Sequence, residues 1–187
     1  ANTTMTSNIL DDNIAGFSIE AQEAHHTQDI DTTNLINGLP IYYLVGQGNI
    51  TIDETTPAAC IYAIRCSNLT ISDQAISNNT FGIALIDCTN VKVQDVTAFD
   101  NEQSNLRIFE CTEVTIDRGL FTNSYYGIDV EDSDQVHIRN VECSYNDAGI
   151  QMRYSNVTLN NSLIHHNTRY GGIRHYAWNS QNGIIQG

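Results

Sequence analysis

The sequence predicts an all-β solenoid with no substantial helix, and two observations support this prediction. Five units of one pattern follow one another between Ile61 and Gly172, and successive units start 22 or 23 residues apart. Repetition at a period of about 20 to 50 residues is typical of proteins whose stacked units share one core. In addition, no window shows the sustained three-to-four residue apolar period of an amphipathic helix.

Each unit contains two short stretches in which apolar residues alternate with more polar ones. Apolar residues occupy the first and third positions of the first stretch, and the second stretch has another such pair, as at Leu69 and Ile71. Residues two apart lie on one face of a strand, so each stretch predicts a half-buried strand. The first positions of successive units are Ile61, Ile83, Leu106, Ile128, Ile150 and Ile173. Stacking would merge these apolar faces into one continuous core.

Polar corners separate the strands and close the units. The closing residues are Gly82, Asn105, Gly127, Gly149 and Gly172. Gly and Asn tolerate the left-handed backbone that a tight corner needs. Leucine-rich repeats share the period, but their Leu-x-x-Leu-x-Leu frame and helical half are missing here. The sequence therefore predicts a right-handed parallel β-helix with coils of about 22 residues.

The whole chain of 187 residues is expected to form a single domain, because the repeat is unbroken. Residues 1–9 are a candidate linking arm, 10–60 are irregular first coils, 61–172 are five regular coils and 173–187 are a terminal half-coil. The net charge of -14 argues against nucleic acid or an anionic membrane as a partner. No apolar run approaches the length of a membrane span.

Export from the cytoplasm is the expected setting. The start at Ala1, without methionine or signal peptide, fits a mature secreted protein, although a trimmed chain would look the same. Glycosylation sequons also suit an exported protein, but three of them are only the repeat's Asn corner followed by a strand Thr. The candidate acceptors are Asn2, Asn49, Asn68, Asn78, Asn156 and Asn160.

Three of the five cysteines occupy one corner column on consecutive coils: Cys66, Cys88 and Cys111. At that spacing one pair could form a disulfide, and the alternative is a ladder of buried thiols. Cys143 is expected in an inward column with Ile76, Phe99 and Phe121. Because five is odd, at least one thiol of a monomer is unpaired.

A family resemblance becomes specific near residue 30. The phrase IDTTNLINGLPIYYLVGQGNITID, followed by repeats of the form SNLTISDQAISNNTFGIAL, resembles the NosD-type, periplasmic copper-binding-like β-helix proteins found on the surfaces of methanogenic archaea. The resemblance covers essentially the whole chain. It implies a right-handed β-helix related to the pectate lyase superfold, an extracytoplasmic location, and use as a module of surface proteins.

Copper is not expected, because no dense Met, His or Cys ligand motif occurs in the sequence. The histidines form two adjacent pairs, His25 with His26 and His165 with His166, while His137 and His175 stand apart. Adjacent residues of a strand point to opposite faces, so such a pair does not make a compact metal site. We expect no resident cofactor.

The two ends predict a mode of assembly. Leu10 to Gly16 reads as the closing part of a coil and Ile173 to Gly187 as an opening part, so together they make one coil. An uncapped end could stack on the opposite end of the next subunit and form a head-to-tail filament. A cut from a longer protein would leave the same half-coils. The expected interface residues are Leu10, Ile14, Gly16, Phe17, Ile19, Ile173, His175, Tyr176, Trp178, Ile184 and Ile185.

Two outward columns each allow two interpretations. The fourth positions include Ile64, Ile86 and Phe109, which would form an exposed contact patch unless the N-terminal segment covers them. The fifth positions include carboxylates one rung apart, which either form a solvated acidic face or bind Ca²⁺. These weak Ca²⁺ candidates are Asp87, Glu110 and Asp132.

Carbohydrate chemistry is the other functional class considered. Acids for catalysis could come from Asp87, Glu110, Asp129, Glu131 and Asp132, with Arg107 or Arg153 as basic partner. This signal is weak, since stacked carboxylates follow from acidic composition, and we expect no enzyme and no catalytic residue. Arg107 and Asp129 are predicted to form a cross-strand pair. Candidate sugar-stacking rings are Tyr125, Tyr126, Tyr154, Tyr170, Tyr176 and Trp178.

The sequence thus favours a structural subunit of an extracellular filament or surface sheath, with itself as the main partner. Surface polysaccharide or other envelope proteins are further expected partners. The alternative function is a carbohydrate-binding or carbohydrate-active β-helix module of a larger cell-surface protein.

Overall fold

A computed structural model describes residues 3–19 and 28–176, and the backbone of residues 184–185. Within these residues the regular structure is entirely β, without a helix. The strands form three large sheets whose stacked members run parallel, apart from one antiparallel pair near the N-terminus. The predicted right-handed parallel β-helix is confirmed.

Each large sheet collects equivalent strands of successive coils. The nine-stranded sheet contains β2 (Ile9–Leu10), β4 (Leu35–Ile36), β5 (Leu39–Val45), β7 (Cys60–Ile64), β10 (Phe81–Ile86), β13 (Ser104–Phe109), β16 (Tyr126–Glu131), β19 (Ala148–Arg153) and β22 (Gly171–Tyr176). The seven-stranded sheet contains β6 (Gly48–Ile52), β8 (Ser67–Ser72), β11 (Thr89–Gln94), β14 (Thr112–Asp117), β17 (Asp134–Arg139), β20 (Val157–Asn160) and β23 (Ile184–Ile185). The five-stranded sheet contains β9 (Ala75–Ser77), β12 (Thr97–Phe99), β15 (Leu120–Thr122), β18 (Glu142–Ser144) and β21 (Leu163–His165).

Apolar columns fill the interior as the repeat predicts. Ile83 pairs with Ile61 on one side and with Leu106 on the other, and all three side chains are fully buried. One predicted column is wrong by a residue. Ala98, not Phe99, lies between Ile76 and Phe121, because the extra residue of this 23-residue coil is accommodated later, in the corner before β13.

The corner after each strand of the nine-stranded sheet from β2 to β19 has a left-handed residue. Asp87 has a φ of 52° and Asp132 a φ of 48°. Left-handed backbone costs about 1 to 2 kcal/mol for a residue with a side chain, and hydrogen bonds to the next coil help to offset this cost. The Asp87 N–H donates to the Phe109 carbonyl at 2.9 Å and the Asp132 N–H to the Arg153 carbonyl at 3.0 Å.

The cysteine column forms a buried thiol ladder. All five cysteines are free and buried, which is the arrangement of the ladder alternative. The Cys66 N–H donates to Cys88 Sγ at 3.4 Å, and the Cys88 N–H donates to Cys111 Sγ at 3.3 Å. Serines continue the ladder, since the Cys111 N–H donates to Ser133 Oγ and the Ser133 N–H donates to Ser155 Oγ, both at 3.0 Å.

The N-terminal segment folds back over the outer face of the nine-stranded sheet. Strand β1 (Thr4–Met5) pairs with β3 (Asp29–Ile30), and β4 forms a hairpin with β5. The hairpin turn has positive φ at both Asn37 and Gly38, as a type I′ turn requires. The buried residues of this second apolar cluster are Phe17, Ile30, Ile36, Ile41, Tyr43, Ala59, Cys60, Tyr62, Ile64, Phe81, Ala84 and Ile86. Of the two alternatives for Ile64 and Ile86, coverage by the N-terminal segment is the correct one.

This packing differs from the expected N-terminal half-coil. Gly16 donates its N–H to the Asn78 carbonyl at 2.8 Å, and the Phe17 ring meets the Tyr62 ring edge-on at 5.3 Å. Leu10 and Ile19 pack against the same cluster, whereas Ile14 is fully exposed. Most of the residues predicted for the N-terminal side of a subunit interface are thus used within the chain itself.

Candidate functional site

The outer face of the nine-stranded sheet changes character from β13 onward. Its outward columns are apolar and covered in the earlier coils, but charged in the later ones. One column contains Arg107, Asp129, Gln151 and Arg174, and the next contains Phe109, Glu131, Arg153 and Tyr176. Successive members of a column are about 4.8 Å apart. We call these eight residues the charged patch.

Arg153 joins the two carboxylates of the patch. Its Nη2 lies 2.8 Å from Glu131 Oε2 and 3.5 Å from Asp129 Oδ2. Gln151 donates from Nε2 to Asp129 Oδ1 at 3.0 Å. The Asp129 side chain is only 2% exposed, so these contacts replace its solvent. The two carboxylates are consequently held in fixed positions.

Arg107 completes the ion pairs at the other end of the patch. Its register partner is Asp129, as predicted, but the ion pair that it forms is with Glu131, at 3.6 Å. The guanidinium also lies over the rings of Phe81 and Phe109, at 5.4 and 5.6 Å from their centroids. These rings separate the covered half of the face from the charged half.

Burial raises the pKa of Glu131 above its usual value, and the neighbouring Asp129 carboxylate adds to this effect. Arg153 and Arg107 act in the opposite direction. Arg153 Nε is buried and has no hydrogen-bond partner within the described residues. Since buried donors are normally paired, this N–H is an exception among the described residues.

Tyrosines border the patch where the corner leads into the sheet. The Tyr125 hydroxyl donates to the Tyr170 hydroxyl at 3.0 Å, and the Tyr125 ring meets Tyr126 edge-on at 4.6 Å. Arg169 lies over Tyr170, 5.1 Å from the ring centroid, and forms an ion pair with Asp147 at 3.4 Å.

A cleft of about 540 Å³ lies beside these tyrosines at the corner. Its lining residues are Asp100, Asn101, Glu102, Asn123, Ser124, Tyr125, Tyr145 and Asp147. The cleft therefore combines carboxylates, amides and tyrosines. Tyr125 belongs to both the cleft and the tyrosine border, so the cleft, the border and the charged patch form one continuous surface.

A polar ladder that the sequence analysis missed runs through this corner, and two of its members, Asn101 and Ser124, line the cleft. The Asn79 N–H donates to Asn101 Oδ1, the Asn101 N–H to Ser124 Oγ, the Ser124 N–H to Asn146 Oδ1, and the Asn146 N–H to Asn167 Oδ1, all at 3.0 to 3.1 Å. The signal was present, because these polar residues recur at the period of the repeat.

The weak Ca²⁺ candidates lie elsewhere, in the left-handed corner after the nine-stranded sheet. Asp87 and Asp132 are exposed and Glu110 is half-buried. Within the part of the chain that the structure describes, no group of three or more His, Cys, Asp or Glu could hold a metal ion. Asp87, Glu110 and Asp132 therefore do not come together as a three-carboxylate group, and His25 and His26 lie outside the described residues.

The expectation that adjacent histidines diverge is wrong for His165 and His166. His166 has a φ of 53°, so the chain bends there and the two rings meet edge-on with their Nδ1 atoms in contact. Glu142 Oε1 contacts the other nitrogen of His165 at 3.2 Å, and Tyr145 stacks on His166 at 5.1 Å. Glu142 thus contacts the far nitrogen of His165, and only the two Nδ1 atoms lie together.

The remaining predicted residues are distributed over the surface. Asn49, Asn68, Asn78 and Asn156 are exposed and Asn160 is half-buried, while Asn2 lies outside the described residues. Ile173, His175 and Tyr176 lie exposed in β22, the last strand of its sheet. Strand β23, with Ile184 and Ile185, pairs with β20, and Trp178 lies outside the described residues. None of the described segments is a helix of the length and apolar character that crossing a membrane requires.

Residues 1–186 match the family described as periplasmic copper-binding protein (NosD). The chain belongs to the NosD family. This confirms the resemblance seen in the sequence, whereas its archaeal surface setting remains a prediction. No curated protein matches the chain.

Three solved structures are similar to the chain to different degrees. The A-module of the mannuronan C-5 epimerase AlgE4 from Azotobacter vinelandii is 11% identical, with a TM-score of 0.52, over 86% of this chain and 51% of that one. A candidate glycosyl hydrolase from Parabacteroides merdae is 17% identical, with a TM-score of 0.47, over 66% of this chain and 79% of that one. The enzymatically active domain of tailspike protein 2 from bacteriophage CBA120 is 12% identical, with a TM-score of 0.44, over 72% and 28%. At these identities the likeness concerns the fold, and the chain spans about half of the epimerase module.

Proposed function

We propose that this NosD-family β-helix is an extracytoplasmic carbohydrate-binding protein, whose ligand lies along the continuous surface of cleft, tyrosine border and charged patch. The family is described as periplasmic, which supports the location. The observation that carries the proposal is the cleft itself, where Tyr125 and Tyr145 flank carboxylate and amide groups.

The chemistry of this surface suits a polyhydroxylated ligand. Carboxylates and amides accept and donate hydrogen bonds to sugar hydroxyls, and tyrosine faces pack against the apolar faces of sugar rings. Tyr145 is 59% exposed, and the face of its ring that does not stack on His166 is available for such packing. A rigid β-helix holds these groups at rung spacing without having to reorganise, which reduces the cost of binding.

Binding is better supported than hydrolysis. Because Asp129 and Glu131 contact one nitrogen of Arg153, their oxygens lie within about 6 Å of each other, near the separation in retaining glycosidases. However, Arg107 and Arg153 both form ion pairs with Glu131, and Asp129 is buried beneath Gln151 and Arg153. Neither carboxylate is arranged as a free nucleophile. We therefore propose a binding protein without catalysis.

A matched pair of tyrosines tests this function. Tyr145 and Tyr154 are both exposed and both left-handed, with φ of 59° and 51°, but only Tyr145 lines the cleft. We expect Tyr145→Ala to weaken polysaccharide binding about tenfold in affinity electrophoresis, while Tyr154→Ala leaves it unchanged. Equal effects of the two substitutions would contradict the location of the site.

A head-to-tail filament subunit is the second candidate function, and one observation favours it. At the C-terminal end Ile173 continues the inward column of Ile150, yet it is 39% exposed. Another subunit could cover it, although the packed N-terminal segment means that Leu10 and Phe17 would not supply the partner surface. Negative-stain electron microscopy at high concentration tests this candidate. Unbranched filaments would support it and monomers alone would exclude it.

A further inference from the structure

Arg174 lies in the outer column of the charged patch, one rung beyond its register partner Gln151. Its guanidinium lies over two aromatic rings, 4.5 Å from the Tyr170 centroid and 4.8 Å from the Tyr176 centroid. Contacts of this kind hold a guanidinium in place through its faces, while its N–H donors lie at its edges. Arg174 is thus held in position by groups that leave its edge donors for another partner.

Ion pairing distinguishes Arg174 from the other arginines of the later coils. Each of the others has a carboxylate partner: Arg107, Arg118, Arg139, Arg153 and Arg169. Arg174 has no ion pair within the described residues. The sequence after Tyr176 contains no Asp or Glu, so no side chain from that segment supplies one.

The charge distribution around Arg174 is also unusual for this chain. The protein carries 22 acidic and 8 basic residues, and four of the basic ones lie on or beside the charged patch: Arg107, Arg153, Arg169 and Arg174. Arg107, Arg153 and Arg169 are paired to carboxylates, so the attraction for an anionic ligand here comes mainly from Arg174. Arg153 adds the buried Nε–H that has no partner within the described residues.

We propose that Arg174 binds the carboxylate or sulfate group of an acidic saccharide, so that the ligand of this surface is an anionic polysaccharide. This inference rests on the proposed function and gives its ligand class. The planar guanidinium fork matches the two oxygens of a carboxylate or sulfate, and Tyr170 and Tyr176 fix the fork before binding. The cleft takes the neutral hydroxyls of the same chain, beyond the tyrosine border.

The experiment compares two pairs of polymers by affinity electrophoresis. The first pair is polygalacturonate and its carboxyl-reduced form, and the second is dextran sulfate and dextran. We expect the wild-type protein to bind at least one acidic polymer about tenfold or more tightly than its neutral counterpart. The pair that shows the difference identifies the carboxylate or the sulfate.

Variants then assign the difference to Arg174. We expect Arg174→Gln to remove the preference for the acidic polymer, and we expect Arg174→Lys to restore part of that preference. Arg139→Gln is the matched control, since it removes an exposed arginine from the seven-stranded sheet. Circular dichroism checks that every variant is folded.

The outcomes separate this inference from the proposed function. Equal binding of acidic and neutral polymers, unaffected by Arg174→Gln, would overturn the inference and leave a carbohydrate-binding surface. A preference for acidic polymers that Arg174→Gln leaves intact would overturn the assignment to Arg174. Absence of binding to all four polymers would overturn the inference and count against the proposed function as well.

Discussion

The outer face of the nine-stranded sheet has two halves with different surroundings. On the earlier coils the outward columns are apolar, with Tyr62 and Ile64 buried beneath the N-terminal segment. On the later coils the same columns hold Asp129 and Glu131, which are both paired to arginines, and Glu131 keeps some exposure to solvent. The interior columns are apolar throughout. The scaffold therefore repeats, and the difference in function lies in the outward positions alone.

The largest expected effect comes from exchanging an apolar residue and a charged residue within one outward column. Ile64 and Glu131 occupy equivalent positions, three rungs apart. We expect Ile64→Glu to lower the free energy of unfolding by about 3 to 5 kcal/mol, because it buries an unpaired carboxylate. Glu131→Ile should lower the free energy of unfolding by about 1 kcal/mol or less, since Arg153 keeps its ion pair with Asp129. Urea denaturation measures both, and similar losses would contradict the division of the face.

The pH dependence of stability sharpens the same contrast. Burial raises the pKa of Glu131, so this group favours folding as the pH falls through its raised pKa. Asp117 behaves in the opposite way, because the hydrogen bond from Asn140 and the charges of Arg118 and Arg139 lower its pKa. Its contribution is present above the ordinary Asp pKa and is lost as the pH falls through the lowered value.

Two substitutions separate these contributions. Between about pH 7 and pH 3, Glu131→Gln should make the loss of stability on acidification steeper, and Asp117→Asn should make it shallower. Thermal unfolding followed at a series of pH values provides the measurement. Parallel curves for the two variants would show that Glu131 is no more constrained by burial than a surface carboxylate.

The smallest expected effect concerns the corner ladder, where cysteines serve the earlier coils and serines the later ones. Ser133 donates to the Glu131 carbonyl at 2.8 Å, and Cys88 makes the equivalent contact with the Ile86 carbonyl at 3.4 Å. Cys88→Ser should therefore cost no more than about 1 kcal/mol. Cys143→Ser should cost about 2 kcal/mol, because its apolar column offers the hydroxyl little pairing. If urea denaturation gives equal losses for the two substitutions, the ladder tolerates a serine no better than the apolar column does.

Sequence reasoning succeeded where residues repeat. Columns such as Ile61, Ile83 and Leu106 are set by strand alternation and coil length, and both can be counted. Phe99 shows the limit of counting, because the position of one extra residue within a coil depends on the corner that accommodates it. Sequence register also placed Arg107 beside Asp129, but the length of the arginine side chain let it reach Glu131.

Counting residues along the repeat does not predict the rest of the site. The N-terminal segment has no repeat, so its return over Tyr62 and Ile64 depends on tertiary packing that no local pattern records. The ladder of Asn101 and Asn146 follows the spacing of the repeat. Asparagine is also a common turn residue, so its recurrence in corners does not by itself indicate a ladder. The clustering of Arg174 with Tyr170 and Tyr176 joins residues of a corner and of a strand, which only the folded chain brings together.

The most direct test of the central claim is hydroxyl-radical footprinting of the protein with and without a saturating polymer, either polygalacturonate or dextran sulfate. If the later half of the face binds carbohydrate, Tyr125, Tyr145 and Tyr170 should be protected, while Tyr154 keeps its reactivity. Protection of Tyr154 alone would contradict the account, and so would a lack of protection at Tyr125, Tyr145 and Tyr170.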